Sequence, residues 1–154
     1  MFRKLLATEP TSSLTVLRLF LAVVIFPHGA QKVFGWFGGP GFSGTMEMFT
    51  HNMGIPYLFA LLAVLTEFLG PLLLAAGLLT RLAALVMGVE IAVAASLVHL
   101  HNGFFMNWGG KQAGEGFEYH FLVVGICLAL MIAGGGRFSL DRVVSQRVTP
   151  SGGA

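Results

Sequence analysis

Long apolar runs separated by short polar or glycine-rich segments dominate the chain. Four runs cover about residues 13–34, 55–79, 82–100 and 117–133. Each is of the length, about 17 to 25 residues, that an α-helix needs to cross the hydrocarbon core of a bilayer. Thr80 and Arg81 separate the second run from the third, and three consecutive glycines end the fourth. The pattern predicts an all-α membrane protein, a bundle of four transmembrane helices.

Two shorter segments have apolar residues at helical spacing beside polar ones. They are Met46, Phe49 and Met53 within residues 35–54, and Leu140, Val143 and Val144 among the arginines of residues 139–147. Such segments are typical of amphipathic helices that lie in the membrane interface. We therefore expect a short interfacial helix in the first outer loop and another near the C-terminus. With no residues left over for a soluble region, residues 1–154 are predicted to form a single transmembrane domain.

Composition supports a membrane location. Of the 154 residues, 55% are hydrophobic and 10% are charged, whereas a soluble domain has about 25% charged residues. The net charge of +2 comes from so few charges that no nucleic-acid partner is predicted, and the lipid bilayer is the expected surrounding. Cys127 is the only cysteine, so neither a disulfide nor a CxxC redox pair can form within one chain.

Basic residues are distributed unequally between the two sides of the predicted bundle. Arg3, Lys4, Arg81, Arg137, Arg142 and Arg147 flank the spans on one side, and Lys32 and Lys111 flank them on the other. Because Lys and Arg are enriched in cytoplasmic segments, both termini and the Arg81 turn are predicted to face the cytoplasm. Trp36 and Trp108 then fall at the outer interface.

Several ionisable residues lie at membrane depth, where each costs about 2.5 to 3.5 kcal/mol on insertion scales. With about 1.5 Å of rise per residue, Glu67 lies roughly 21 Å and Glu90 roughly 13 Å from the inner boundary at Arg81. His28 is level with Glu67, and Lys32 lies one turn farther out on the same helix face. Pro71 cannot donate to the carbonyl of Glu67, which favours a kink and a cavity there.

These polar groups converge on the outer half of the bundle, which is the predicted site. Candidate catalytic residues are Glu67, His28 and Lys32, and candidate ligand-binding residues are Gln31, Glu90, His101, Glu118, Phe34 and Trp36. Structural alternatives remain: Glu67 pairs with Lys32 or His28 only to balance charge, or Lys32 anchors the helix at the interface. His99 and His120 are interpreted as interfacial. No pair of strong ligands shares one deep helix face, so no metal site is predicted.

Several motifs resemble those of the DoxX family. They are His28-Gly-Ala-Gln-Lys32-Val-Phe-Gly35, Gly54-Ile-Pro56, Glu67-Phe-Leu-Gly70, Gly77-Leu-Leu-Thr-Arg81, the His99 to Phe105 segment and the Glu118 opening of the fourth run. The resemblance extends over roughly residues 14–141. It implies a four-helix protein of the bacterial inner (plasma) membrane. It also implies an association with quinone-linked oxidation, through subunits described for thiosulfate:quinone oxidoreduction.

Three functions follow as hypotheses. The first is a membrane oxidoreductase, or a subunit of one, that holds a quinone-like molecule, with Glu67 as proton donor, His28 as relay and Lys32 as electrostatic stabiliser. Its electrons come from elsewhere, for example from a soluble oxidoreductase. The second is a non-enzymatic scaffold or lipid-binding subunit. The third is a small proton-coupled transporter, which with four helices requires a homo-oligomer.

Overall fold

The structure is a computed structural model that describes residues 6–148; Arg3 and Lys4, used above for orientation, lie outside this range. The described residues form helices and connecting segments without a β-strand. The helices are α1 (Ser12–Phe34), α2 (Gly41–Glu47), α3 (Tyr57–Ala76), α4 (Thr80–Ala94), α5 (Glu118–Ala133) and α6 (Leu140–Val148). The helical fold class predicted from the apolar runs is therefore confirmed.

The four long helices pack side by side around an apolar core. α1 contacts α3 and α5, and α4 also contacts α3 and α5, so that each helix has two neighbours. Large side chains at most 2% exposed fill the centre, namely Leu21, Ile25, Leu74, Met87 and Leu130. Burial of such side chains against neighbouring helices fixes which face of each helix points inward.

Three helices are long and apolar enough to cross a membrane. They are Ser12–Phe34, Tyr57–Ala76 and Thr80–Asn102, the last being α4 with its extension. α5 has 16 residues and is about 24 Å long at 1.5 Å per residue, less than the roughly 30 Å of a hydrocarbon core. Apolar side chains also cover the outside: Phe20, Val23, Phe121 and Ile132 are between 69% and 75% exposed. This surface is that of a membrane protein in contact with lipid.

Two helices continue as wide π-helical turns at the same end of the bundle. α4 passes into a π turn at Ala95–His99 and a 3-10 turn at Leu100–Asn102, and α2 passes into a π turn at Met48–Asn52. A π turn contains one residue more than an α-helical turn, so every residue after it faces another direction. We call this end, which carries residues 35–56 and 103–117, the loop end.

The opposite end, called here the arginine end, carries Arg18, Arg81, Arg137, Arg142 and Arg147. Arg18 is 2% exposed. Its Nε donates to Gly135 O at 2.9 Å, its Nη1 donates to Leu74 O at 2.7 Å and to Ala75 O, and its Nη2 donates to Phe138 O. One side chain of α1 therefore holds the end of α3 and the segment between α5 and α6.

Asp141 holds the start of α4 at the same end. Its two carboxylate oxygens accept hydrogen bonds from Leu79 N at 2.7 Å and from Thr80 N at 2.8 Å. The first amides of a helix have no partner within the helix, and a carboxylate there also interacts favourably with the helix dipole. Asp141 is 1% exposed, so water does not substitute for it.

Replacing Asp141 with alanine is expected to destabilise the bundle by more than about 2 kcal/mol, because the buried N–H of Thr80 and the partly buried N–H of Leu79 lose a charged acceptor. Asp141→Asn, which keeps one acceptor oxygen, should cost clearly less. Cys127 is 1% exposed and is the only cysteine, so a thiol-reactive fluorophore measures the melting temperature in detergent. Equal melting temperatures for the two variants would show that the one hydrogen bond that asparagine retains contributes nothing.

Candidate functional site

A cavity of about 710 Å³ lies between the long helices, toward the loop end. Its walls are mainly apolar side chains of α3, of α4 with its extension, and of the π turn after α2. They include Phe59, Leu62, Ala63, Val86, Val89, Val93, Leu97, Met48 and Phe49. Leu62, Val89 and Val93 are about half-exposed. The cavity therefore meets the surroundings of the bundle along the gap between α3 and α4.

An ion pair between α1 and α3 forms part of the cavity wall. Lys32 Nζ donates to Glu67 Oε2, with the two side chains 20% and 10% exposed. The facing helices are in direct backbone contact one turn before Lys32, where a Cβ added to Gly29 would lie 2.7 Å from Phe68 Cα. This contact brings the two side chains within reach of each other.

Glu90 and Tyr119 carry polar atoms in this region that have no partner. Glu90 Oε2 and the Tyr119 hydroxyl are both buried and make no hydrogen bond. Glu90 interacts electrostatically with Glu67 and Lys32, and Tyr119 interacts with both carboxylates. Two carboxylates and one ammonium group leave one negative charge of this cluster without an opposite charge. Buried polar atoms without a partner are uncommon, and they mark places where a ligand can bind.

Aromatic and imidazole rings continue from this cluster toward the loop end. Ring centroids are 6.4 Å apart between His28 and Tyr119, 5.3 Å between Tyr119 and His120, and 4.1 Å between His120 and His99. His99 Nδ1 lies 2.9 Å from Glu115 O. A carbonyl only accepts, so Nδ1 carries the hydrogen and Nε2 of the neutral ring keeps a lone pair. His120 is 8% exposed, and its buried Nδ1 has no partner.

Four of the residues selected from the sequence line the cavity together: His28, Lys32, Glu67 and Glu90. His28 and Lys32 come from one face of α1, and the two carboxylates come from α3 and α4. Within residues 6–148, no three His, Cys, Asp or Glu side chains are arranged to hold a metal ion. The cluster is thus made of proton-binding groups from three helices.

The other five selected residues lie outside the cavity lining. Gln31 Nε2 is 3.5 Å from Phe37 O, and Glu118 Oε1 accepts a hydrogen bond from Met106 N at 3.1 Å. Phe34 contacts Trp36 and Phe68, with ring centroids about 5 Å apart. Gln31 and Glu118 brace the loops, and the Phe34 ring joins α1 to α3. These contacts surround the cavity without entering it.

His101 also lies outside the cavity, and the π turn at Ala95–His99 explains why. An uninterrupted α-helix places His101 on the same stripe as Glu90, as the sequence pattern indicated. The extra residue of the wide turn moves His99 into the wall and leaves His101 on an exposed 3-10 turn. The structure therefore brings His99, not His101, beside the site.

Sequence reasoning did not select three lining residues whose rings carry polar atoms. Tyr119 was not singled out, and His99 and His120 were interpreted as interfacial, yet all three line the cavity. The available signal was the succession Glu118-Tyr-His120 at the start of a membrane span. Three polar residues in the first turn of an apolar helix indicate that one face of that turn contacts polar groups.

Comparison with known proteins agrees with the motifs. The DoxX family profile matches residues 13–100, more than half of the chain. The chain belongs to the DoxX family. The DoxX match includes His28, Lys32, Glu67, Glu90 and His99, and it ends before α5, which carries Tyr119 and His120.

A relative of similar length comes from Haemophilus influenzae. It is described as an uncharacterized protein and is 30% identical over 142 residues, which cover 87% of this chain and 84% of that protein. No solved structure matches the chain. Membership of the DoxX family and the apolar helices together show a membrane protein with transmembrane helices.

Proposed function

We propose that this membrane protein binds a quinone-like molecule in the cavity, as an oxidoreductase or as the quinone-binding subunit of one. One observation carries the proposal: a buried cluster of proton-binding groups with unpaired polar atoms lies beside an apolar cavity that meets the lipid. A water-soluble metabolite does not enter a site from the bilayer. A lipid-soluble molecule with a polar ring enters this way, because its apolar part stays among apolar groups.

The apolar walls suit entry from the bilayer. The volume of about 710 Å³ is within the roughly 300–1,000 Å³ of small-molecule sites. The half-exposed side chains of Leu62, Val89 and Val93 border the gap between α3 and α4. An isoprenoid tail in this gap lies among apolar groups, while the attached ring reaches the polar cluster.

The polar cluster fits the oxygens of such a ring. Carbonyl oxygens need hydrogen-bond donors, and the Tyr119 hydroxyl and Lys32 ammonium are donors at the cavity. Glu90 Oε2 is unpaired and, when protonated, is a third donor. The residues present therefore match the donor requirement of a quinone, as the family resemblance implies.

A bound quinone supplies two-electron redox chemistry, and its reduction to quinol consumes two electrons and two protons. The chain's own residues hold and move the protons. Glu67 Oε2 is engaged by Lys32, so Glu90 Oε2 is the better position for a transferable proton, with Lys32 stabilising negative charge. His28 lies against Tyr119 and relays protons to it. The electrons come from a soluble oxidoreductase that docks on the membrane.

We further propose that the protein lies in the bacterial inner membrane with α5 as a fourth span and both termini in the cytoplasm. The support is the clustering of Arg18, Arg81, Arg137 and Arg142 at one end of the bundle. The loop end, with Trp108 90% exposed, then lies at the outer interface. In this orientation the cavity opens toward the outer leaflet.

Glu90→Leu tests the proposed function, because leucine keeps most of the volume, offers no hydrogen-bond donor and leaves the ion pair of Lys32 with Glu67 in place. Affinity for a short-chain ubiquinone, measured by equilibrium titration of the purified protein, is expected to fall about tenfold, which corresponds to about 1.4 kcal/mol. The melting temperature should stay near that of the wild type, because Glu90 Oε2 has no partner to lose. Mass spectrometry of organic extracts from the wild type should also detect a quinone.

Glu118→Gln is the control outside the cavity, because this carboxylate does not line the cavity and the glutamine oxygen still accepts the hydrogen bond from Met106 N. Its quinone affinity should equal that of the wild type. Unchanged affinity in Glu90→Leu would show that the quinone does not bind in this cavity. Extracts that contain phospholipid and no quinone would favour the lipid-binding alternative, and a copurified protein without either would favour a scaffold.

A further inference from the structure

The ring series at the cavity ends on a loop. From Glu90, the series runs through Tyr119 and His120 to His99, whose Nδ1 donates to Glu115 O in the segment before α5. Tyr119, His120 and His99 are in successive ring contact, and Tyr119 interacts electrostatically with Glu90. Each of these groups can carry a proton. His99 is partly exposed, while His120 is buried. The series thus connects a buried acid to the solution at the loop end.

Apolar packing blocks proton transfer between the cavity and the arginine end. Between the cavity and the arginine end lies the apolar core, in which Leu21, Leu74, Met87 and Leu130 are at most 2% exposed. Arg18 lies beyond this core, and its guanidinium group donates to backbone carbonyls. A guanidinium group stays protonated in proteins and does not relay protons. The core therefore separates the cavity from the arginine end.

We propose that Tyr119, His120 and His99 form a proton path that connects Glu67 and Glu90 with the solution at the loop end only. The inference deepens the proposed function, because it names the side of the membrane from which protons reach the site. The titratable and charged groups that face the path are His28 and Lys32 on α1, Glu67 on α3, Glu90 and His99 on α4 and its extension, and Tyr119, His120 and Cys127 on α5.

Each transfer moves one proton and no electrons. A hydronium ion at the loop end gives its proton to the lone pair of His99 Nε2 and becomes water. Bridging water carries the proton on to His120, because His120 Nδ1 and the Tyr119 hydroxyl make no hydrogen bond within the protein. Through water, Tyr119 then takes a proton from the imidazole side as its hydroxyl gives one to the carboxylate. The result is one carboxylic acid in the cavity, which balances the unpaired negative charge of the Lys32, Glu67 and Glu90 cluster.

Carbodiimide labelling tests the path, because dicyclohexylcarbodiimide enters from lipid and reacts only with protonated carboxyl groups. Spheroplasts and inverted vesicles that contain the full chain are held with a pH difference across the membrane, and labelling of Glu67 and Glu90 is quantified by peptide mass spectrometry. Labelling is expected to rise severalfold when the solution at the loop end is acidified. It should not depend on the pH at the arginine end. A Lys111→Cys variant treated with an impermeant maleimide identifies which face carries the loop end.

His120→Phe keeps a ring against Tyr119 and His99 and removes both nitrogens. In this variant, labelling should lose most of its dependence on the loop-end pH. His101→Phe is the matched control, since His101 is at the same end and outside the cavity lining, and it should behave as wild type. Labelling that follows the arginine-end pH, an unaltered response in His120→Phe, or no labelling at any pH overturns the path. The readout needs no quinone, so a failure of quinone binding is recognised separately.

Discussion

Arg18→Met is expected to lower the melting temperature by about 10 °C or more, the shift for roughly 4 kcal/mol in a chain of this size. The side chain supplies hydrogen bonds to carbonyls of four residues: Leu74, Ala75, Gly135 and Phe138. Methionine fills most of the volume and donates nothing, so these carbonyls lose a charged donor. Hydrogen bonds to charged groups contribute about 1.5 to 3 kcal/mol each. Fluorophore labelling of Cys127 during a temperature ramp measures the shift.

Two further variants show whether the geometry of Arg18, and not charge alone, is responsible. Arg18→Lys keeps the charge but loses the planar guanidinium group, so its melting temperature should lie between those of Arg18→Met and the wild type. Arg137→Met removes an exposed arginine at the same end, which lies 5.7 Å from the Phe138 ring, and should change the melting temperature by little. A melting temperature for Arg18→Met close to that of the wild type would show that backbone packing alone holds this end.

The helices followed from the apolar pattern because a long apolar run has few ways to satisfy its backbone in lipid. The level of Glu67 beside α1 and the shared face of His28 and Lys32 could also be predicted, since both depend only on the rise and period of an α-helix. The structure places these three residues at one cavity. Regular helical geometry was sufficient for this part of the site.

Irregular backbone could not be predicted in the same way. Because of the π turn at Ala95–His99, His99 and not His101 lies in the cavity wall. No single residue in Ala-Ser-Leu-Val-His encodes a wide turn as a proline encodes a kink. The π turn at Met48–Asn52 likewise brings Met48 and Phe49 to the wall. Both depend on how the loop end packs, which the local pattern does not contain.

Arg18 shows a second limit of prediction from the sequence. An arginine one turn into a predicted span fits the excess of basic residues on the cytoplasmic side, which bears on orientation but not on packing. Its acceptors come from residues 56 to 120 positions away. Gly135 and Phe138 are placed by the turn after α5, where Gly134 and Gly136 have φ angles of 85° and 82°. The residues whose backbone carbonyls accept hydrogen bonds from Arg18 need no particular side chains, so the sequence does not reveal them.

Gly29→Ala is expected to cause a second large loss of stability, because the added methyl group must fit into a contact between two helix backbones. An added Cβ would lie 2.5 Å from the Glu67 carbonyl carbon and 2.7 Å from Phe68 Cα, with the Glu67 oxygen closer still. Real Cβ atoms do not approach backbone so closely, and no flexible side chain is present to move. α1 and α3 must separate, which costs about 1–3 kcal/mol for overpacking.

The separation acts on the site as well as on stability, since Lys32 and Glu67 form their ion pair across the same two helices. Gly29→Ala should therefore lower both the melting temperature and the quinone affinity. Gly125→Ala is the matched control: an added Cβ there meets nothing within 4 Å, and alanine favours a helix by up to about 1 kcal/mol over glycine. It should match or exceed the wild type in both measurements. If Gly29→Ala also matched the wild type in both, α1 and α3 would not be in backbone contact at this level, and the ion pair would need another support.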